Sequence, residues 1–166
     1  LVLRQQRVVG VRLPDGEELY ADSLLFAPGH SARASYAMLA AHGVAMERKS
    51  FAMGVRVEHP ATLINRIQYG HPRHPQLPAA DYALAWNDPE SGRGVYSFCM
   101  CPGVVVVQSS SEEAGVVVNG MSAYRRDGEF SNSALVVAVR PEDLRGEDPL
   151  AGVRFQQHWE ANAFVA

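Results

Sequence analysis

Cys99 and Cys101 are the two cysteines of the chain, and they stand in Gly94-Val-Tyr-Ser-Phe-Cys-Met-Cys-Pro-Gly103, an alternating stretch closed by a Pro-Gly pair. Strand side chains alternate with a period of two, so Val95, Ser97, Cys99 and Cys101 are expected on one face and Tyr96, Phe98 and Met100 on the other. The second face is bulky and suits a core. The first is small, weakly polar and sulfur-bearing, which serves either close packing or the lodging of something flat, a ligand ring or a substrate. The strand alone leaves both open. Equivalent atoms two residues apart on a strand lie about 6.6 Å from each other, whereas a disulfide holds its β-carbons about 3.8 Å apart. Two free thiols are therefore expected.

Two other places carry groups able to hold an anion. In Phe51-Ala-Met-Gly-Val-Arg-Val-Glu58 the alternation puts Phe51, Met53, Val55 and Val57 inward and Gly54, Arg56 and Glu58 together on the other face. Arg56 either reaches a bound anion past Gly54 or pairs with Glu58 at the surface. Further back, Ser23-Leu-Leu-Phe-Ala27 is a continuous apolar run of the kind found in strands buried on both faces. It leads through Pro28, Gly29, His30 and Ser31 into a helix with Ser31 as N-cap, Tyr36, Leu39 and Ala40 at helical spacing, and Gly43 as its stop. Such a junction turns backbone N–H groups toward an anion or a ring carbonyl, although most such junctions bind nothing. His71 and His74 have metal-like spacing but no Cys or carboxylate cluster beside them, so no metal site is expected.

The elements around these residues are mostly strands. A hairpin is expected over residues 7–13 and 18–22, turning at Pro14-Asp-Gly16. Pro60 suits the first turn of a helix with Leu63, Ile64 and Ile67 inward and Gly70 as its stop. Further strands are expected over 81–86, 104–107, 116–118 and 134–139, and a last helix begins at Asp148-Pro149 with Phe155 and Trp159 on its apolar face. Three or so helices among mainly antiparallel or mixed strands, without regular alternation, give the α+β class.

Composition narrows the function. The 166 residues are 47% hydrophobic and 20% charged with a net charge of −3, enough chain for a true core. The charge gives no nucleic-acid footprint. No apolar run reaches the ~20 residues of a membrane span, and two cysteines make no disulfide framework, so a reducing cytoplasm is the expected compartment. Leu1-Val-Leu3 reads as a strand already under way, and Phe164-Val-Ala166 stops inside a helical pattern. Both ends lead us to expect a piece of a longer protein.

Five phrases then stand in one order: Ala27-Pro-Gly-His-Ser-Ala-Arg33, Phe51-Ala-Met-Gly-Val-Arg-Val-Glu-His-Pro60, Leu77-Pro-Ala-Ala-Asp-Tyr82, Gly94 to Gly103, and Val118-Asn-Gly-Met-Ser122. Together they resemble a family of predicted bacterial FAD-dependent dehydrogenases, flavoproteins of the glutathione-reductase-like two-domain type. Asn132-Ser-Ala-Leu-Val136 and Pro149-Leu-Ala-Gly152 also match, so the resemblance covers nearly the whole chain. It implies that residues 1–30 end the first segment of a split FAD-binding domain, and that 31–166 are the inserted substrate-side domain, truncated at its C-terminus. It implies Gly29, His30 and Ser31 at the cofactor, Arg56, Cys99 and Cys101 as candidate catalytic residues, and Ser97, Asn119 and Ser122 on the substrate side. Two positions depart from the family's pattern, Ala34 where an acidic residue is expected and Val104 where a second Gly is expected.

The sequence holds no Gly-x-Gly-x-x-Gly turn. The expectation is therefore FAD in the full-length protein and none tightly bound to this fragment, whose partners are the FAD-binding domain of its own polypeptide and a small-molecule substrate. Two other classes stand beside this one. One is a stand-alone ligand- or partner-binding module without catalysis. The other is a cysteine-nucleophile hydrolase built on Cys99, for which no histidine has a recognisable local signature.

Overall fold

The computed structural model describes residues 1–5 and 7–166, which form two compact units, Leu1–Glu47 and Arg48–Ala166. The class is α+β, as expected. In the first unit β1 (Val2–Arg4), β2 (Arg7–Arg12) and β3 (Glu18–Tyr20) make an antiparallel sheet in that order. Gly16, at φ +93°, supplies the left-handed residue of the β2–β3 turn. Residues 23–27 do not form the expected buried strand: they lie outside any strand, and Leu25 is 91% exposed. A strand buried on both faces needs neighbours on both sides, and among the described residues none pairs with this run. The helix α1 (Arg33–Ala41) starts from Ala32, so Ser31 is not its cap; the Ser31 hydroxyl lies 3.3 Å from His30 Nε2 instead.

The second unit is built on β4 (Phe51–Pro60), β5 (Ala85–Asn87), β6 (Gly94–Cys101) and β9 (Phe130–Val139), an antiparallel sheet in the order β4-β9-β6-β5. A separate ribbon pairs β7 (Val105–Gln108) with β8 (Val118–Met121). The helices are α2 (Ala61–Tyr69) and α3 (Ala151–Val165), and a 3-10 turn at Pro141–Asp143 joins β9 to the last of them. β4 and β9 run in unbroken register from Phe51↔Val139 to Pro60↔Phe130. Opposed residues share a face. Phe51 and Met53 therefore lie with Val137 and Val139 on one side, and Gly54, Arg56 and Glu58 lie with Val136, Ala134 and Asn132 on the other.

Helix α3 covers the first face. Val139, Leu144 and Ala151 are buried, with Phe51, Met53 and Phe155 packed against them. The Phe51 and Phe155 rings meet edge to face at 6.0 Å and 71°, a geometry worth about 0.5–1.5 kcal/mol beyond burial. The core reaches only one end of the expected inward row, since Val55 is 68% exposed and Val57 is exposed too. Helix α2 departs in the same way: Ile64 is buried, while Leu63 and Ile67 face out. Its stop is the expected one, with Gly70 in the left-handed region at φ +76°.

The loop before β6 is pinned to the 3-10 turn by Arg93, whose two terminal nitrogens each reach Asp143 at 2.7 Å. The Asp143 carboxylate also accepts from the Arg140 backbone at 2.8 Å. These contacts, Arg93 first, hold its pKa far below the ordinary carboxylate range. No helix among the described residues is long and apolar enough to cross a membrane.

Candidate functional site

The alternation of β6 breaks just before the cysteines. Phe98 pairs with Ala134, but Cys101 pairs with Asn132, so three steps on β6 oppose two on β9. This is a β-bulge, a device that re-aims side chains and recurs beside active sites. Cys99 sits in it at φ +46°, a left-handed conformation that costs a residue with a Cβ about 1 kcal/mol or more. The extra residue carries Cys101 onto the face of Phe98, Ala134 and Asn132. The expected row of Val95, Ser97, Cys99 and Cys101 thus ends at Ser97, and Phe98, expected in the core, is 57% exposed. Both cysteines are free.

On this face β4 delivers Arg56. Its Nη1 donates to Asn132 Oδ1 at 2.6 Å and to the Cys99 carbonyl at 3.2 Å, and its Nη2 reaches Asn119 Oδ1 at 3.5 Å. The Cys101 thiol donates to the same Cys99 carbonyl at 3.2 Å. Arg56 and Cys101 therefore stitch the bulge from two directions. The surface pairing with Glu58 does not occur: among the described residues no carboxylate meets this guanidinium, and each of its three acceptors is a neutral oxygen.

A partly buried cation with only neutral partners retains unspent electrostatic attraction. Two nitrogens of the cluster, Arg56 Nε and Asn132 Nδ2, are buried and have no acceptor. Asn132 is 0% exposed, and its amide cannot be turned to help, because the oxygen must face the Arg56 donor. The Asn119 contact is the weakest of the set, at the outer limit of a hydrogen bond, and Asn119 is exposed. It is the contact that a ligand oxygen would replace. Gly120 makes the arrangement possible: a Cβ there would lie 2.6 Å from Asn132 Oδ1, 2.8 Å from Cys101 Sγ and 2.9 Å from Arg56 Nη1.

Of the sequence-derived residues, Arg56, Cys99, Cys101 and Asn119 meet in one cluster. Ser97 points to the opposite face and spends its hydroxyl on the Leu84 amide at 2.7 Å. Ser122 lies one residue past β8, exposed, with no hydrogen bond among the described residues. Gly29, His30 and Ser31 belong to the other compact unit, where they form an exposed turn with Gly29 at φ +84° and open space around its missing side chain. Asn132 and Gly120 were not singled out from the sequence. The signal available was Ser131-Asn-Ser133 running directly into an apolar strand, which places polar side chains inside a sheet.

Of these groups Arg56 Nη2, with only its weak contact to the exposed Asn119, is the donor open to an electron-rich oxygen, such as a ring carbonyl or a carboxylate. Residues 50–166 match the model of a family described as FAD-dependent protein, C-terminal domain-like. A protein of Clostridium beijerinckii (strain ATCC 51743 / NCIMB 8052), named only "Uncharacterized protein", is 52% identical over 151 residues, which cover 90% of this chain. The chain spans 28% of that relative's length. With the match running from the first residues of the second unit through α3, the chain belongs to the FAD-dependent protein, C-terminal domain-like family.

Proposed function

We propose that this chain is the substrate-side part of a bacterial, cytoplasmic FAD-dependent oxidoreductase, a dehydrogenase acting on a small molecule that carries an anionic or carbonyl oxygen. The observation that carries the reading is Arg56, a partly buried guanidinium held by three neutral oxygens at a bulge bearing two free thiols. When bound, FAD supplies the redox chemistry of the reaction. Arg56 would orient the oxygen, with Asn132 fixing the guanidinium from behind and Asn119 yielding its weak contact to the incoming group. Cys99 and Cys101 would line the approach. The cofactor turn at Gly29, His30 and Ser31 would offer backbone N–H groups to the flavin. Residues 1–30 would belong to the FAD-binding segment and 31–166 to the substrate side, with the rest of the longer polypeptide as the partner.

The test is Arg56→Lys in the full-length protein, which keeps the charge and loses the planar fork. Turnover is expected to fall about 10²-fold, the usual loss when one aligned donor is removed from a reacting oxygen. Flavin content holds and the protein stays folded, with the melting temperature lowered only by the lost contacts to the bulge. Unchanged turnover would assign Arg56 to stitching the bulge and remove the reading's main support. Full activity in both Cys99→Ser and Cys101→Ser would leave the thiols as packing.

A further inference from the structure

A second constellation lies apart from Arg56 and shares no residue with its cluster. The start of α2, the proline-rich loop over 71–80 and the turn over 124–128 enclose a cleft of about 500 Å³, a size common for small-molecule sites. Arg73, Arg125 and Arg126 line it, with His74 alongside, against one carboxylate, Asp127. None of the three guanidiniums has a side-chain hydrogen bond or ion pair among the described residues. Three exposed arginines without an internal partner thus line one concavity, and a multiply charged oxyanion offers such groups paired, charge-assisted hydrogen bonds.

The backbone fixes one wall of the cleft. Gly103, at φ +61°, lets the 124–128 turn approach so closely that a Cβ there would lie 1.9 Å from the Arg126 carbonyl. Gly128 N–H donates to the Gly103 carbonyl at 3.1 Å. Arg126 itself takes the left-handed φ of +50°. Thr62, in the first turn of the nine-residue α2, opens to the same space, so the positive end of that helix adds to the field. The chain as a whole is acidic, and the cations line a hollow rather than a ridge, which suits a compact ligand and not a polymer.

We propose that this cleft binds the phosphate or pyrophosphate group of a small molecule, held by Arg73, Arg125 and Arg126. The test is calorimetric titration of the purified full-length protein with inorganic pyrophosphate. Saturable one-to-one binding is expected, weakened about tenfold or more in Arg73→Glu and in Arg125→Glu, both of which alter exposed side chains and leave circular dichroism and melting unchanged. Release of flavin in step with the titration would identify the occupant as the flavin's own pyrophosphate, and retained flavin would identify a separate phosphorylated ligand. Both results support the phosphate site. Absence of saturable heat, or equal affinity in wild type and both reversals, would overturn it.

Discussion

His59 lies on β4 with both ring nitrogens buried and unpartnered, its ring 5.5 Å from that of Tyr82. Burial holds its pKa below the ordinary 6.5, against smaller opposing pulls from the Val57 backbone and then the Glu58 charge. The unfolded chain therefore takes up this proton more readily than the folded one. The stability tied to a neutral His59 is complete above about pH 6.5 and is lost as pH falls toward the lower folded value. In His59→Phe the denaturation midpoint should change less between about pH 7.5 and about pH 5.5 than it does in the wild type. Urea titrations at both pH values measure it, and an unchanged slope would show that another group is responsible. Much of the candidate site was legible at this scale: Arg56, Asn119 and the cysteines stand out by type and position. Asn132 and Gly120 were hidden for physical reasons. A polar triplet reads as loop or edge until its burial is known, and a glycine that makes room for three side chains looks like any other glycine.

At the level of elements, β6 was readable as a strand and unreadable as a bulged one. Its residues alternate without a fault, and only the register against β9 reveals the extra step between Phe98 and Cys101. The same limit explains Ser23 to Ala27, whose apolar run has the composition of a buried strand but no neighbour to pair with. At Gly70 the determinant is local, a left-handed residue that ends α2, and there the expectation and the structure agree. The bulge makes a prediction of its own. Cys99→Gly, which suits the left-handed position, should leave stability within about 0.5 kcal/mol of wild type, the relief of strain offsetting the greater freedom of the unfolded chain. Cys99→Val should lower it by about 1–2 kcal/mol, because a β-branched residue fits that region poorly. Guanidinium denaturation distinguishes the two, and equal stability of both variants would mean that the backbone at residue 99 relaxes freely.

For the whole chain, the α+β class followed from many short strands and few helices, and the flavoprotein kinship from phrases in order rather than from any one residue. The cofactor itself gives the test at this scale. These 166 residues, purified alone, should be colourless and release no stoichiometric flavin on denaturation, since the pyrophosphate-binding glycine turn is not among them. An absorbance band of bound flavin would refute this. The strand order has a further effect, on the time course of synthesis. β4 is complete at Pro60, yet β9, its sheet partner among the described residues, does not begin until Phe130. At about 5–20 residues per second, a ribosome leaves β4 unpaired for several seconds, its edge and its valines open to other nascent chains. β6 can meet β5 early, but neither can join β4 until β9 has emerged to lie between them. The larger unit thus assembles around its last strand, and chains arrested before residue 130 should stay protease-sensitive while those carried past Val139 become resistant.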